Sequence, residues 1–292
     1  MLFSIVIPTY NRSNQVVKLL DSILLQEYKS FEIIVVDDGS TDNTEENIKT
    51  CFAGNSQIKY FKQDNRERAA ARNYGANLAR GQYVNFFDSD DFMYPNHIAA
   101  AFSLIEELDS PEIIAFAYEC KMPNGEIIYT KHYPSNLNSL LIQGNHLSCN
   151  SVFLRKDIAL QFPFNADRKL SVFEDWELWL RLASRFKFNV SSEITSVIIN
   201  HEGRSVLSVN KEHLINRGRL LYMYLNEDLA FREKYSASMH KLRASIFSYI
   251  SLHLSLSKRN RQSALVYLLK AISSDITFVF KRRFLAIIKH WL

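Results

Sequence analysis

Short apolar runs and helical repeats alternate along the first half of this chain, and that alternation restricts the fold more than any other feature. Residues 3–7 read as a buried strand, and Val16, Leu19, Leu20, Ile23 and Leu24 follow at helical spacing. Residues 32–36 (EIIVV) form a second strand closed by Asp37-Asp38-Gly39-Ser40, after which Thr41 or Asp42 can cap a helix to about Cys51. A third strand spans 58–61. An alanine-rich helix follows over about 68–79, with Gly81 placed as its stop. Residues 83–87 form the fourth strand, which runs into Asp88-Ser89-Asp90-Asp91, and Pro95 opens a helix to about Leu108. The βαβαβαβ order predicts an α/β domain: a mostly parallel sheet with helices on both faces.

Beyond residue 113 the pattern changes. Runs at 113–119 and 127–130, joined across Asn124-Gly125, predict a hairpin. A polar stretch at 134–150 reads as a long loop, and 151–154 as a short strand. Ser171-Val172-Phe173-Glu174 matches a capping box and predicts a helix to about Phe186, and 194–199 is a further strand ending at Asn200-His201. After Asn210 the signal is helical. Charge divides there too: residues 1–210 carry 20 Lys and Arg against 26 Asp and Glu, whereas 211–292 carry 15 against 5. We therefore expect a domain over 1–210 and a basic helical region over 211–292.

Three scattered cysteines, Cys51, Cys120 and Cys149, with no CxxC pair suggest neither a zinc site nor a disulfide framework, and fit a reducing compartment. The first residues lack a basic region and a small-residue cleavage site, so a signal peptide is not expected. No window reaches the ~18 apolar residues of a membrane span. The expected location is cytoplasmic, either free or peripheral on the cytoplasmic face of the inner membrane.

In an open α/β sheet, ligands bind beyond the carboxyl ends of the strands. Two successive strands of this chain end there in acidic clusters, which repel one another unless a cation or donor-rich ligand lies between them. Asp88 and Asp90 are two apart, so in an extended segment they point the same way and can share a metal; Mg²⁺ or Mn²⁺ is the natural occupant of such an oxygen site. Asp, Gly and Ser also favour plain turns, but two clusters and a third acidic pair, Glu174-Asp175, are more than turn chemistry needs. The absence of GxGxxG after the first strand weighs against a dinucleotide-dependent oxidoreductase, and no P-loop or GxSxG is present.

The segments SIVIPTYNR (4–12), EIIVVDDGSTD (32–42), AARNYGANLARGQYVNFFDSDD (70–91) and FEDWELWLRL (173–182) resemble, in order and spacing, those of bacterial polysaccharide-type family 2 glycosyltransferases. The likeness covers about residues 1–205. It implies the GT-A fold, a Rossmann-like mostly parallel sheet flanked by helices, here with a helical C-terminal extension. By position it implies that Pro8, Thr9 and Tyr10 hold the nucleotide base, and that Asp37 or Asp38 reads the base or ribose. Arg72 approaches the nucleotide, and Asp88-Ser89-Asp90 is the DxD signature that binds donor and metal. Asp175 takes the place of the catalytic base. NHEGRSVLS (200–208) resembles a later motif, which makes His201 a candidate third metal ligand. The implied reaction is an inverting transfer of a hexose or N-acetylhexosamine from a nucleotide diphosphate sugar, a UDP-sugar foremost, to a glycan or lipid-linked glycan hydroxyl. Such chemistry suits a divalent cation at the leaving diphosphate and a carboxylate base at the acceptor hydroxyl.

Plainer readings stand beside these. Glu174 serves the capping box, Asp175 favours a helix dipole, Trp176 and Trp179 fit a core, and Arg72 fits a surface. Rival functions are a Mg²⁺-dependent phosphotransferase using Asp88 and Asp90, and a catalytically degenerate sugar-nucleotide-binding or membrane-scaffolding protein. Residues 276–292 (ITFVFKRRFLAIIKHWL) interleave aromatic and aliphatic side chains with Lys and Arg, as an interfacial helix on an anionic membrane does and as a packed terminal helix also does. No nucleic-acid-binding motif accompanies the basic charge.

Overall fold

The computed structural model describes residues 2–201, 210–256 and 260–290. Its strands are β1 (Phe3–Thr9), β2 (Phe31–Asp37), β3 (Ile58–Lys62), β4 (Tyr83–Phe86), β5 (Phe92–Met93), β6 (Ile113–Lys121), β7 (Ile127–Lys131), β8 (Val152–Arg155) and β9 (Asn189–Ile199). Its helices are α1 (Ser13–Leu24), α2 (Thr44–Cys51), α3 (Glu67–Leu78), α4 (His97–Glu107), α5 (Leu137–Leu140), α6 (Lys156–Gln161), α7 (Glu174–Arg185), α8 (Lys211–Glu227), α9 (Leu229–Tyr235), α10 (Met239–Ser255), α11 (Arg261–Ser274) and α12 (Arg282–Lys289). The chain forms two compact units. The first comprises Met1–Leu137, Leu147–Arg168 and Phe186–Arg204; the second comprises Asn138–His146, Lys169–Arg185 and Ser205–Leu292.

The first unit is built on one sheet of order β3-β2-β1-β4-β8-β6-β9-β5, with β7 paired to β6. β3, β2, β1 and β4 are mutually parallel, β8 joins antiparallel to both β4 and β6, and β9 returns parallel to β6. Every residue of β1 and β2 is buried, as expected of parallel strands covered on both faces. Phe3, Ile5 and Ile7 pack with Ile33 and Val35 against Leu19, Leu20 and Ile23 of α1 and Ile98 and Ala101 of α4. Alternation turns Val6 to the opposite face, where Gly75 of α3 lies so close that an added Cβ would fall 2.3 Å from Val6 Cγ1.

Two local expectations are corrected. Gly81 does not end α3 in the left-handed conformation; the helix stops at Leu78, and Gly81 is required because a Cβ there would lie 2.5 Å from the backbone of Phe3. Ser171 is not the cap of α7. Val172 stands at φ +82°, in the left-handed region, and the helix begins only at Glu174. Asp42, in contrast, does serve the start of α2 through the backbone N–H and hydroxyl of Thr44. The short β5 and α6 carry no periodic signal, and α5 lies inside the stretch read as loop.

In the second unit α7 buries Trp176, Leu178, Trp179 and Leu182, which settles both tryptophans as core residues. Trp176 Nε1 donates to the Leu141 carbonyl at 2.8 Å. Helices α8 and α10 approach closely at Gly218, where a Cβ would meet Ile246 at 2.7 Å. The tail is packed in part: Phe278 and Ile287 are buried with Leu268 and Ala271 of α11, while Ile276, Phe280 and Leu285 are exposed. Trp291 and Leu292, and Glu202–Ser208 of the later motif, lie outside the described residues. Among the described residues no helix is long and apolar enough to cross a membrane.

Candidate nucleotide-sugar site

Because β2, β1 and β4 are parallel neighbours, the loops after them share one edge of the sheet. Pro8 and Thr9 close β1 as buried residues, and Tyr10 beyond them is 46% exposed. Thr9 Oγ1 is buried without a hydrogen-bond partner among the described residues. Asn11, at φ +50°, joins the first two loops: its N–H donates to Ser40 Oγ at 2.9 Å and its Oδ1 accepts the Thr41 N–H at 2.8 Å. Gly39, at φ +84°, makes the turn between Asp38 and Ser40 that this junction needs.

The paired aspartates at the end of β2 are hydrogen-bonded within the protein. Asp37 accepts the Ser40 N–H at 2.7 Å and the Tyr60 hydroxyl, and burial together with the Asp37 charge raises the Tyr60 pKa. One oxygen of Asp38 accepts Gln63 Nε2 at 2.7 Å and the Arg66 N–H at 2.8 Å. Both carboxylates thus shape the loop around which a nucleotide would lie.

The loop after β4 carries the densest charge. Arg72 of α3, 2% exposed, sends Nη2 to Asp88 Oδ1 at 2.6 Å while its guanidinium lies 5.1 Å from the Phe164 ring centroid. Burial alone would raise the Asp88 pKa; the charges of Arg72, Arg68 and Arg12 outweigh it and hold the carboxyl below its usual range. Arg12 Nη1 meets Asp90 Oδ1 at 2.7 Å and the buried Ser89 hydroxyl at 3.4 Å. On the other side of Asp90, His201 Nε2 lies 2.9 Å from Oδ2. Fully buried Asn150 fixes the loop from behind, accepting the Asp88 N–H at 2.8 Å and donating to Asp91 Oδ2 at 2.7 Å. Asp91 Oδ1 accepts the Ile199 N–H at 2.8 Å, tying the loop to the end of β9.

The fold therefore brings Arg72 to Asp88, and Arg12 and His201 to Asp90. A carboxylate facing an imidazole is donor chemistry that suits Mn²⁺ or Mg²⁺, but Asp90 and His201 are only two ligands, and Asp90 also meets Arg12. Asp88 does not join them: no group of three His, Cys, Asp or Glu side chains converges among the described residues. The sequence pattern singles out neither Arg12 nor Asn150. Arg12 stands inside the first motif, which is a usable signal; Asn150 lies in a polar stretch without one.

Asp175 belongs to the second unit. It is half-buried in the first turn of α7, where Oδ1 accepts the Trp176 N–H at 2.7 Å and Oδ2 accepts Asn145 Nδ2 at 2.8 Å. Burial and the charge of Asp175 raise the pKa of Tyr249.

A parallel β3-β2-β1-β4 half-sheet continued by mixed strands, with an acidic loop at its carboxyl edge, defines the GT-A class of fold. The same fold is found in residues 1–349 of Staphylococcus aureus TarS, solved in complex with UDP-GlcNAc, at a TM-score of 0.66 and 19% identity over 95% of this chain and 91% of that one. The glycosyl transferase family 2 model matches residues 4–162, more than half of the chain, and the protein belongs to that family. The amylovoran biosynthesis glycosyltransferase AmsB of Erwinia amylovora is 27% identical over 301 aligned residues, covering 94% of this chain and 98% of AmsB. An uncharacterized glycosyltransferase of Rickettsia felis is 31% identical over 71% of this chain, which spans only 35% of that longer protein.

Proposed function

We propose that this protein transfers a hexose or N-acetylhexosamine from a UDP-sugar to a hydroxyl of a glycan or lipid-linked glycan during polysaccharide assembly, with inversion at the anomeric carbon. The observation that carries the reading is the strand-end edge of the first unit, where Asp88 and Asp90 of the DxD motif are each met by an arginine and Asp90 by His201. TarS, bound to UDP-GlcNAc, supports the choice of donor, and AmsB, matched over nearly its whole length, supports the polysaccharide acceptor.

Arg72 keeps the Asp88 carboxyl ionised and Arg12 holds Asp90 in place, so that two guanidinium groups stand at the edge a diphosphate meets. Asp90 and His201 would hold Mn²⁺ or Mg²⁺, with Asp88 oriented toward the donor by Arg72. Such a cation supplies Lewis-acid neutralisation of the departing diphosphate. Thr9, Tyr10, Asp37, Asp38 and the buried Ser89 form the bed for the nucleotide. Asp175, by its motif and its hydrogen bond from Asn145, takes the proton of the attacking hydroxyl, a role worth ~10²–10⁴ in rate. A single displacement with one base inverts the anomeric centre. Exposed Ile276, Phe280 and Leu285 beside Lys281, Arg282 and Lys289 support contact with an anionic membrane surface, where lipid-linked acceptors reside.

The test is UDP release from a panel of UDP-hexoses and UDP-N-acetylhexosamines with Mn²⁺ and a polysaccharide acceptor. Wild-type protein should release UDP from one donor. Asp175→Asn should bind that donor normally and turn over ~10²–10⁴ more slowly. Near-normal turnover in Asp175→Asn would remove Asp175 as the base, and no release with any donor would favour a degenerate sugar-nucleotide-binding protein.

A further inference from the structure

The second unit contains a cavity of about 380 Å³ between the Asn138–His146 segment, α10, the Asp275 turn and the start of α12. Lys241, Lys281, Arg282 and Arg283 line it, and the one carboxylate among the lining residues is Asp275. That carboxylate accepts the Thr277 N–H at 3.0 Å and the Thr277 hydroxyl at 2.7 Å, and the charges of His240 and Lys241 also act on it, so it offsets part of the positive charge of the wall. The hydrogen bonds of Arg283 go to neutral oxygens: Nη1 reaches the Ser245 carbonyl at 3.2 Å and Ser248 Oγ at 3.1 Å. Lys281 Nζ rests on Gln143 Oε1 at 2.7 Å. None of the four cations forms an ion pair among the described residues.

Clustered cations in a concave wall repel one another, and a buried guanidinium without a counter-charge is costly. Burial pushes the Arg283 pKa down, in line with a charge that lacks its partner. A planar fork beside two ammonium groups suits the oxygens of a phosphoryl group, which accept several charge-assisted hydrogen bonds at once. A bare carboxylate would leave several of these donors unused.

We propose that this cavity is a binding site for a phosphoryl group, separate from the donor diphosphate edge of the first unit. The 143–146 loop bears on two features at once, since Gln143 and His146 line the cavity while Asn145 holds Asp175. Arg283 also lies 5.9 Å from the ring of Tyr249, which is within electrostatic reach of Asp175. Resting on the proposed function, this assigns the acceptor as a phosphorylated one, anchored by its phosphate beside the base. Phe280, 86% exposed next to Lys281, offers an apolar surface for a chain carrying that phosphate.

The probes are inorganic phosphate and dodecyl phosphate, titrated against the full chain with UDP and Mn²⁺ saturating. The variant is the double substitution Lys241→Gln and Lys281→Gln, which alters side chains that are not part of the core. Both probes should bind the wild type, and the variant should bind them at least roughly tenfold more weakly with its UDP response unchanged. Tighter binding of dodecyl phosphate assigns a lipid-borne phosphate; equal binding assigns a soluble phosphorylated glycan. Equal affinities in variant and wild type, or no binding of either probe, would overturn the site and leave the donor assignment standing. Variant-sensitive phosphate binding in a protein that ignores UDP would do the reverse.

Discussion

Replacing Asn150 with alanine would cut the acidic loop from its support. The wild-type side chain makes a charge-assisted bond to Asp91 Oδ2 at 2.7 Å and accepts the Asp88 N–H at 2.8 Å, in a position with no solvent exposure. A hydrogen bond to a charged group contributes about 1.5–3 kcal/mol and one to a neutral group about 0.5–1.5 kcal/mol. Their joint loss should therefore cost about 2–4 kcal/mol. Urea denaturation should show a lower midpoint with an unchanged slope. Asn150→Asp should be worse than alanine, because it sets a second carboxylate against Asp91. If the proposed function holds, both variants also weaken UDP binding, since the loop of Asp88 to Asp91 loses its backing. A loss below about 0.5 kcal/mol in Asn150→Ala would show that Asn150 does not support the loop, because two buried bonds of this kind contribute more than that.

Gly75→Ala places a methyl group 2.3 Å from Val6 Cγ1 and should destabilise by about 1–3 kcal/mol in the same assay; a neutral result would mean that α3 can lift from β1. His97 is fully buried, its ring nitrogens facing the Thr195 hydroxyl at 2.8 Å and Asn85 Oδ1 at 3.4 Å, and burial lowers its pKa to about 3. An unfolded histidine titrates near 6.5, so only the unfolded state gains a proton on mild acidification. This contribution to stability is complete above pH ~6.5 and falls by roughly 1.4 kcal/mol per pH unit on the way down to about 3. His97→Gln should flatten the fall between pH 6.5 and 5, and an unchanged slope would show that His97 is not its source.

The strand cores were legible because parallel strands covered on both faces read as unbroken apolar runs, as in EIIVV of β2. β5 was not legible, since two residues carry no period, and it exists through pairing of Phe92 and Met93 with the distant β9. The spacing of Asp88 and Asp90 was readable directly, Arg72, Ser89 and His201 only through the family resemblance, and the fold sets Arg72 against Asp88 and His201 against Asp90. What escaped depends on contacts between segments far apart in sequence. Tyr60 reaches Asp37 only because the register sets Asp37 opposite Lys62. Asn150 reaches Asp88 and Asp91 across some sixty residues of chain. The Ser171 capping box misled because the pattern records residue types and not the positive φ of Val172.

Thermal stability with UDP in the presence and absence of Mn²⁺, for wild type and Asp90→Ala, tests whether a metal-assisted UDP-sugar site lies at the ends of β1, β2, β4 and β9. Ligand at about 100 times its dissociation constant adds ~2.7 kcal/mol of stability. UDP should stabilise the wild type only when Mn²⁺ is present, and Asp90→Ala should abolish the response. Equal stabilisation of wild type and Asp90→Ala, or no response to UDP with metal, would contradict that site.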